Sequence, residues 1–186
     1  MIFGLRRRSP VLIAVIGAAA LGGDTLRAQG GSCAGLYAAQ RKLLTTPHHG
    51  YSVDSSATDP KLHGGKPLTS ESIFTGNAIF TMYKGTWRRS LMTVDQMRTQ
   101  EEENIRSAKS TCSVSGNESV NGEATIIYQV HSVTDFGTTD GQEWVSKSRG
   151  LPLRTVSRLD VGGAMGRSVI VQRYDYSNVA LPAGVK

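Results

Sequence analysis

The sequence predicts an α+β fold: one curled antiparallel sheet, an unclosed β-barrel, carrying an N-terminal helix and one inserted helix. Three observations predict it. Short β-patterned segments follow one another with only tight turns between them, whereas a parallel sheet needs a helical crossover between successive strands. Helical periodicity occurs twice, once early in the chain and once in the middle of the strand series. A sheet of about eight or more short strands has to curl or close to limit its exposed edges.

The chain opens with a leader pattern. Arg6, Arg7 and Arg8 precede an apolar run from Val11 to Leu21, and Leu26-Arg27-Ala28 supplies a small residue ahead of Gln29. A charged start, a short apolar stretch and a small-residue end form a secretory signal, too short to span a membrane. Residues 1–28 are therefore expected to be a signal peptide and residues 29–186 a single half-barrel domain, periplasmic or secreted. No later stretch is apolar enough for a transmembrane segment. The leader also holds four of the 21 basic residues and one of the 15 acidic ones, so the formal +6 falls to +3 over residues 29–186. The remaining cations are scattered, with no cluster to follow a phosphate backbone, which argues against a nucleic-acid partner.

Both cysteines, Cys33 and Cys112, lie after the leader. An oxidising compartment and an even count predict a Cys33–Cys112 disulfide. Chain-entropy reasoning gives the closure of so long a loop a value of about 4–5 kcal/mol. The competing reading, a lipidated N-terminal Cys33, lacks the usual apolar residue three positions upstream, where Gly30 stands.

The elements follow in order. From Cys33 to Leu44, Leu36, Ala39, Leu43 and Leu44 fall on one helical stripe, which Pro47 ends. The segment 48–66 is polar, with turn signals at Asp59-Pro60 and Gly64-Gly65 and a strand within Tyr51–Ser55. Strands are expected to end at Ile73-Phe74 and to run through Asn77–Tyr83, with Lys84-Gly85 turning the chain into Trp87-Arg88-Arg89. Thr93 and Gln96 match a capping box, opening a helix that runs to about Ser110 with Glu101, Glu102 and Glu103 on its solvated face. Asn121-Gly122 is the strongest hairpin signal in the chain. Ala124–Val133 then alternates, with Ala124, Ile126, Tyr128 and Val130 on one side and His131 on the other. Gln142–Lys147, Leu153–Leu159 and Arg167–Tyr176 complete the series.

The phrases Gly141-Gln142-Glu143-Trp144-Val145-Ser146-Lys147 and Gly150-Leu151-Pro152-Leu153-Arg154 form a tryptophan-bearing strand, a short turn and Gly-Leu-Pro before the next strand. This pattern resembles the periplasmic lipoprotein-carrier superfamily, which includes LolA-type carriers, RseB-type sensors and mycobacterial LppX-type proteins. The resemblance implies an unclosed β-barrel wrapped over helices, with a hydrophobic cavity for lipid or acyl chains. It carries over no binding residue position by position. The polar segment 52–66 and an aromatic content of only 6% depart from the obvious carriers.

Catalytic patterns are missing. The chain has no Gly-x-Ser-x-Gly elbow, no Walker loop and no His-Glu-x-x-His, and its glycine-rich stretch 162–166 lacks the Lys-Ser/Thr ending of a phosphate loop. His48, His49 and His63 match no standard metal spacing. The expectation is a non-catalytic protein with neither cofactor nor metal, binding a hydrophobic small molecule or lipid. Phe80, Met82, Ile126, Tyr128, Trp144 and Ile170 are the candidate cavity lining, since they lie on β-patterned segments whose inner face would be the cavity wall. The alternative is an envelope sensor or assembly module with a filled core that works through protein–protein contacts.

Overall fold

The computed structural model describes residues 26–56, 66–107, 109–134, 137–160 and 167–185. The leader's apolar run, Asp59, His63 and the stretch 162–166 lie outside them.

The first helix, α1, spans Leu26–Leu43, starting ahead of the expected Cys33. Its amphipathic part begins at Cys33, from which Leu36, Ala39 and Gln40 are buried. The amides of Leu44, Thr45 and Thr46 turn back to the carbonyls of Gln40, Lys42 and Leu43, and Pro47 cannot continue the ladder. Four strands follow: β1 (His48–Ser56), β2 (Leu68–Phe74), β3 (Ile79–Tyr83) and β4 (Thr86–Arg89). The second helix, α2 (Val94–Ser107), has the expected capping box. The Thr93 amide donates to Gln96 Oε1 at 2.8 Å and the Gln96 amide to Thr93 Oγ1 at 3.1 Å. Five strands complete the chain: β5 (Lys109–Val120), β6 (Glu123–Thr134), β7 (Gly137–Ser146), β8 (Pro152–Asp160) and β9 (Arg167–Asp175). Lys84-Gly85 and Asn121-Gly122 both turn with positive φ, 50° and 75° then 52° and 82°, the mirror-image turn whose twist matches a hairpin.

The nine strands among the described residues form one antiparallel sheet in the order β4-β3-β2-β1-β9-β8-β7-β6-β5. The chain starts at the middle, steps out to one edge, crosses to the other edge through α2, and meanders back to lie beside β1. The two edges do not pair, so the barrel stays unclosed. Its curl follows from length. Eight strand-to-strand steps in a flat sheet would separate β4 from β5 by about 38 Å. The fourteen residues of α2 supply only about 21 Å, so a flat sheet would need every flanking residue pulled straight. Ser90 instead bends the chain, its Oγ accepting the Met92 amide.

The register assigns the two faces. Residues opposite each other in antiparallel strands share a face, so one face carries Gly50, Tyr174, Thr155, Glu143, Tyr128 and Cys112. This is the concave face, because α1 packs on it: Leu36 and Ala39 form the core cluster with Tyr128, Val130 and Val145. The Cys33–Cys112 disulfide, Cα–Cα 5.8 Å, fastens α1 to the edge strand β5. It closes a loop of 79 residues, as the sequence predicted.

Candidate functional site

On the concave face, α1 packs against β5, β7 and β8, and among the described residues no helix packs to the same extent over the middle of the sheet. The central strand β9 shows the consequence. Its residues 168–172 are all half-buried and none is buried, although β1 and β8 flank it on both sides. Strands in mid-sheet are ordinarily the most enclosed, so residues that stay half-open there mark space above the sheet. Ile170 lies on this open concave surface with Gln172, Ser52, Ser72 and Thr81 as same-face neighbours across three strands. Ile170 pairs directly with Asp54 of β1 and Ser157 of β8, so the surface is apolar at Ile170 and polar around it, with the Asp54 carboxylate accepting from the Ser168 hydroxyl.

Where α1, α2 and β7 meet, the interior is polar. Gln40 Nε2 donates to Glu143 Oε2 at 3.4 Å. Glu143 is buried, and desolvation pushes its carboxyl up to about 8, with the nearby Glu101 charge adding and the Gln40 amide opposing. Glu101 is only 2% exposed, which corrects its expected place on a solvated face. Burial raises its pKa too, while Asn104 opposes from a geometry short of a hydrogen bond. The reason is the turn of α2: Glu102 reaches α1 as the partner of Arg41, 2.6 Å from Nε to Oε1, and this rotates Glu101 inward. Only Glu103 of the three is exposed. Tyr174 completes this interior, its hydroxyl donating to Gln172 Oε1 at 3.3 Å and its pKa raised by desolvation.

The convex face carries different chemistry. Arg154 lies over the Trp144 ring at 4.7 Å, and Trp144 Nε1 donates to Glu118 Oε2 at 2.6 Å. Tyr51 stacks on His49 at 4.2 Å and shares a 3.0 Å hydrogen bond with its Nδ1, while His49 Nε2 lies 3.4 Å from Glu71. At one end of the strands, the β5–β6 hairpin, the β7–β8 turn and the end of β9 enclose a cleft of about 660 Å³. Its lining includes Tyr51, Asn121, Arg149, Leu153, Arg173 and Tyr176. Two carboxylates also face it, and both are engaged. Glu123 accepts from Arg149, Ser146 and Ser148, which hold its carboxyl down to about 2. Asp175 accepts from the Ser177 amide and hydroxyl.

The six sequence-predicted lining residues divide between the faces. Ile126, Tyr128 and Ile170 lie on the concave face; Phe80, Met82 and Trp144 lie on the convex one. Tyr128 is inside the cluster under α1, Ile126 packs at its edge, and Ile170 stands apart on the open surface. None of the six lines the 660 Å³ cleft. Sequence reasoning missed that cleft, since its residues come from three separate turns and strand ends. It also missed Gln40 and Glu143 as an interior pair. His131 is exposed, as its alternation implied, and sits 2.8 Å from Asp140. Among the described residues, no group of three or more histidine, cysteine or acidic side chains is arranged to hold a metal ion. No helix among them is long and apolar enough to cross a membrane.

No family model matches this chain, and no curated protein matches it. Several solved structures have a similar fold. LprF from Mycobacterium bovis is 11% identical, the match covering 82% of this chain and 96% of that one, with a TM-score of 0.43. LppX from Mycobacterium tuberculosis is likewise 11% identical, over 80% of this chain and 97% of that one, with a TM-score of 0.43. MucB, solved in complex with MucA(peri), is 15% identical over 82% of this chain and 57% of its own, with a TM-score of 0.45. LppX names one of the groups that the sequence resembles, and at such identities the likeness concerns the fold alone.

Proposed function

We propose that this chain is an exported, non-catalytic binding protein that holds a hydrophobic, lipid-like ligand on the concave face of its half-barrel. The observation that supports the reading is the half-open central strand β9, where Ile170 stays half-buried and neither α1 nor the other described elements close over it. An acyl chain laid along that surface gains roughly 0.8 kcal/mol for each methylene removed from water. The hydroxyls of Ser52, Ser72 and Thr81 would take the polar end and Ile170 the chain, with Ile126 and Tyr128 bounding the surface where α1 covers it. Phe80, Met82 and Trp144 would support the sheet from its other side. The leader pattern supports export to the periplasm or beyond.

A second reading, a sensor or assembly module acting on an envelope protein, draws on the other half of the same face. There α1 fills the space over β5–β8 with Leu36 and Ala39. The two readings part in native mass spectrometry of the exported protein purified without detergent. A mass increment that disappears on organic extraction, and that is missing from Ile170→Asp, is the expected result. A clean apo mass in wild type after incubation with a fatty acid would overturn the ligand reading in favour of the module.

A further inference from the structure

Arg154 on β8 and Arg173 on β9 are direct cross-strand partners on the convex face. Like charges in that position repel, and such pairs are ordinarily relieved by a carboxylate nearby. Here none of the described residues accepts a hydrogen bond from either guanidinium. Arg154 is pinned flat on Trp144, and its buried Nε–H has no acceptor. Arg173 faces the 660 Å³ cleft, where both carboxylates are already committed, Glu123 to Arg149 and Asp175 to Ser177. The neighbour of Arg173 on its other side is the Tyr51 ring, and the cleft continues past Leu153 and Tyr176.

The geometry points to an oxyanion-binding site between Arg154 and Arg173, for a phosphate or carboxylate carried on an aromatic or apolar body. The two guanidiniums supply a planar, always-charged donor pair matched to a tetrahedral or carboxylate oxyanion. The cleft supplies Tyr51 and Val120 for the body of the ligand, and Asn121 for a further polar contact. An anion there converts the cross-strand repulsion into a bridged pair. The site is on the opposite face of the sheet from the proposed lipid surface, and neither depends on the other.

The test is titration of the ¹⁵N-labelled full-length mature protein with inorganic phosphate, at ionic strength held constant with chloride and read at arginine Nε–H and backbone amides. Saturable shifts are expected at Arg154, Arg173, Tyr51 and Asn121, with Arg98 on α2 unmoved. Arg173→Gln and Arg154→Gln should each weaken phosphate binding by about tenfold or more, the size of one charge-assisted hydrogen bond. Arg173→Gln should melt at or above the wild-type temperature without phosphate, since it removes a repulsion, which separates lost binding from lost fold; Arg154→Gln also gives up its contact with the Trp144 ring. Phosphatidylglycerol vesicles that abolish the phosphate shifts identify a lipid headgroup as the source; vesicles that leave them in place identify a soluble compound. Non-saturating shifts, shifts of equal size at Arg98, or unchanged affinity in Arg173→Gln would overturn the site.

Discussion

Replacing Glu143 by glutamine should flatten the pH dependence of stability. The carboxyl is buried between Gln40 of α1, Glu101 of α2, Tyr128 of β6 and Tyr174 of β9, which pushes its pKa up to about 8 from the 4.5 of a solvated glutamate. Between those values the folded state keeps a proton that the unfolded chain has released, so stability falls as pH rises. At 1.36 kcal/mol per unit, raising the pH from about 5 to 8 removes about 4 kcal/mol. That is a large part of the 5–15 kcal/mol typical of a domain. Glutamine keeps the shape and can still meet Gln40, but it carries no proton to lose. His48, whose pKa burial pushes below 6.5, tilts the curve the other way at acid pH; it is common to both proteins and drops out of their difference. Glu101 leaves the variant a smaller slope of the same sign. Urea unfolding of both proteins at pH 5, 6.5 and 8, with the disulfide intact, measures this directly. The variant should be the more stable by several kcal/mol at pH 8 and nearly equal at pH 5. Parallel curves across that range would refute the burial argument.

Three further outcomes follow from the geometry. Cys33→Ser with Cys112→Ser should lower stability by about 4–5 kcal/mol, seen as a drop in Tm that dithiothreitol reproduces in wild type. Gly35→Ala gains about 1 kcal/mol of helix propensity, yet its Cβ would lie 2.3 Å from the Tyr128 hydroxyl. Overpacking at about 1–3 kcal/mol should outweigh the gain, so calorimetry should show net destabilisation. Thr93→Ala removes the N-cap of α2 and should cost about 1 kcal/mol in chemical denaturation.

The elements that were legible in the sequence are those whose signals are local. The Thr93–Gln96 box and the Asn121-Gly122 turn involve residues one to three apart, so the chemistry that forms them is complete within a short window. The alternation Ile126, Tyr128, Val130 likewise predicted which side of β6 meets the helix, because strand side chains alternate whatever else the chain does. The lining candidates were less legible. Alternation ranks residues within a strand but does not say which side of one strand continues which side of another, and only the register divides Phe80, Met82 and Trp144 from Ile126, Tyr128 and Ile170. Glu101 shows the same limit: in a run of three glutamates nothing local marks the one that α2 turns inward once Glu102 pairs with Arg41.

The sequence by itself therefore determined the α+β class, both helices, the succession of strands along the chain and the pairing of the two cysteines. These rest on period, turn residues and compartment, which are properties of short stretches or of composition. The tertiary structure alone decided that β4 and β5 remain apart, that β9 stays half-open in mid-sheet, that Glu143 and Glu101 share the interior, and that Arg154 meets Arg173. Each of these depends on pairing between residues distant in the chain. The crossover through α2 sets that pairing by returning the chain to the far edge of the sheet, which makes β9 the neighbour of β1.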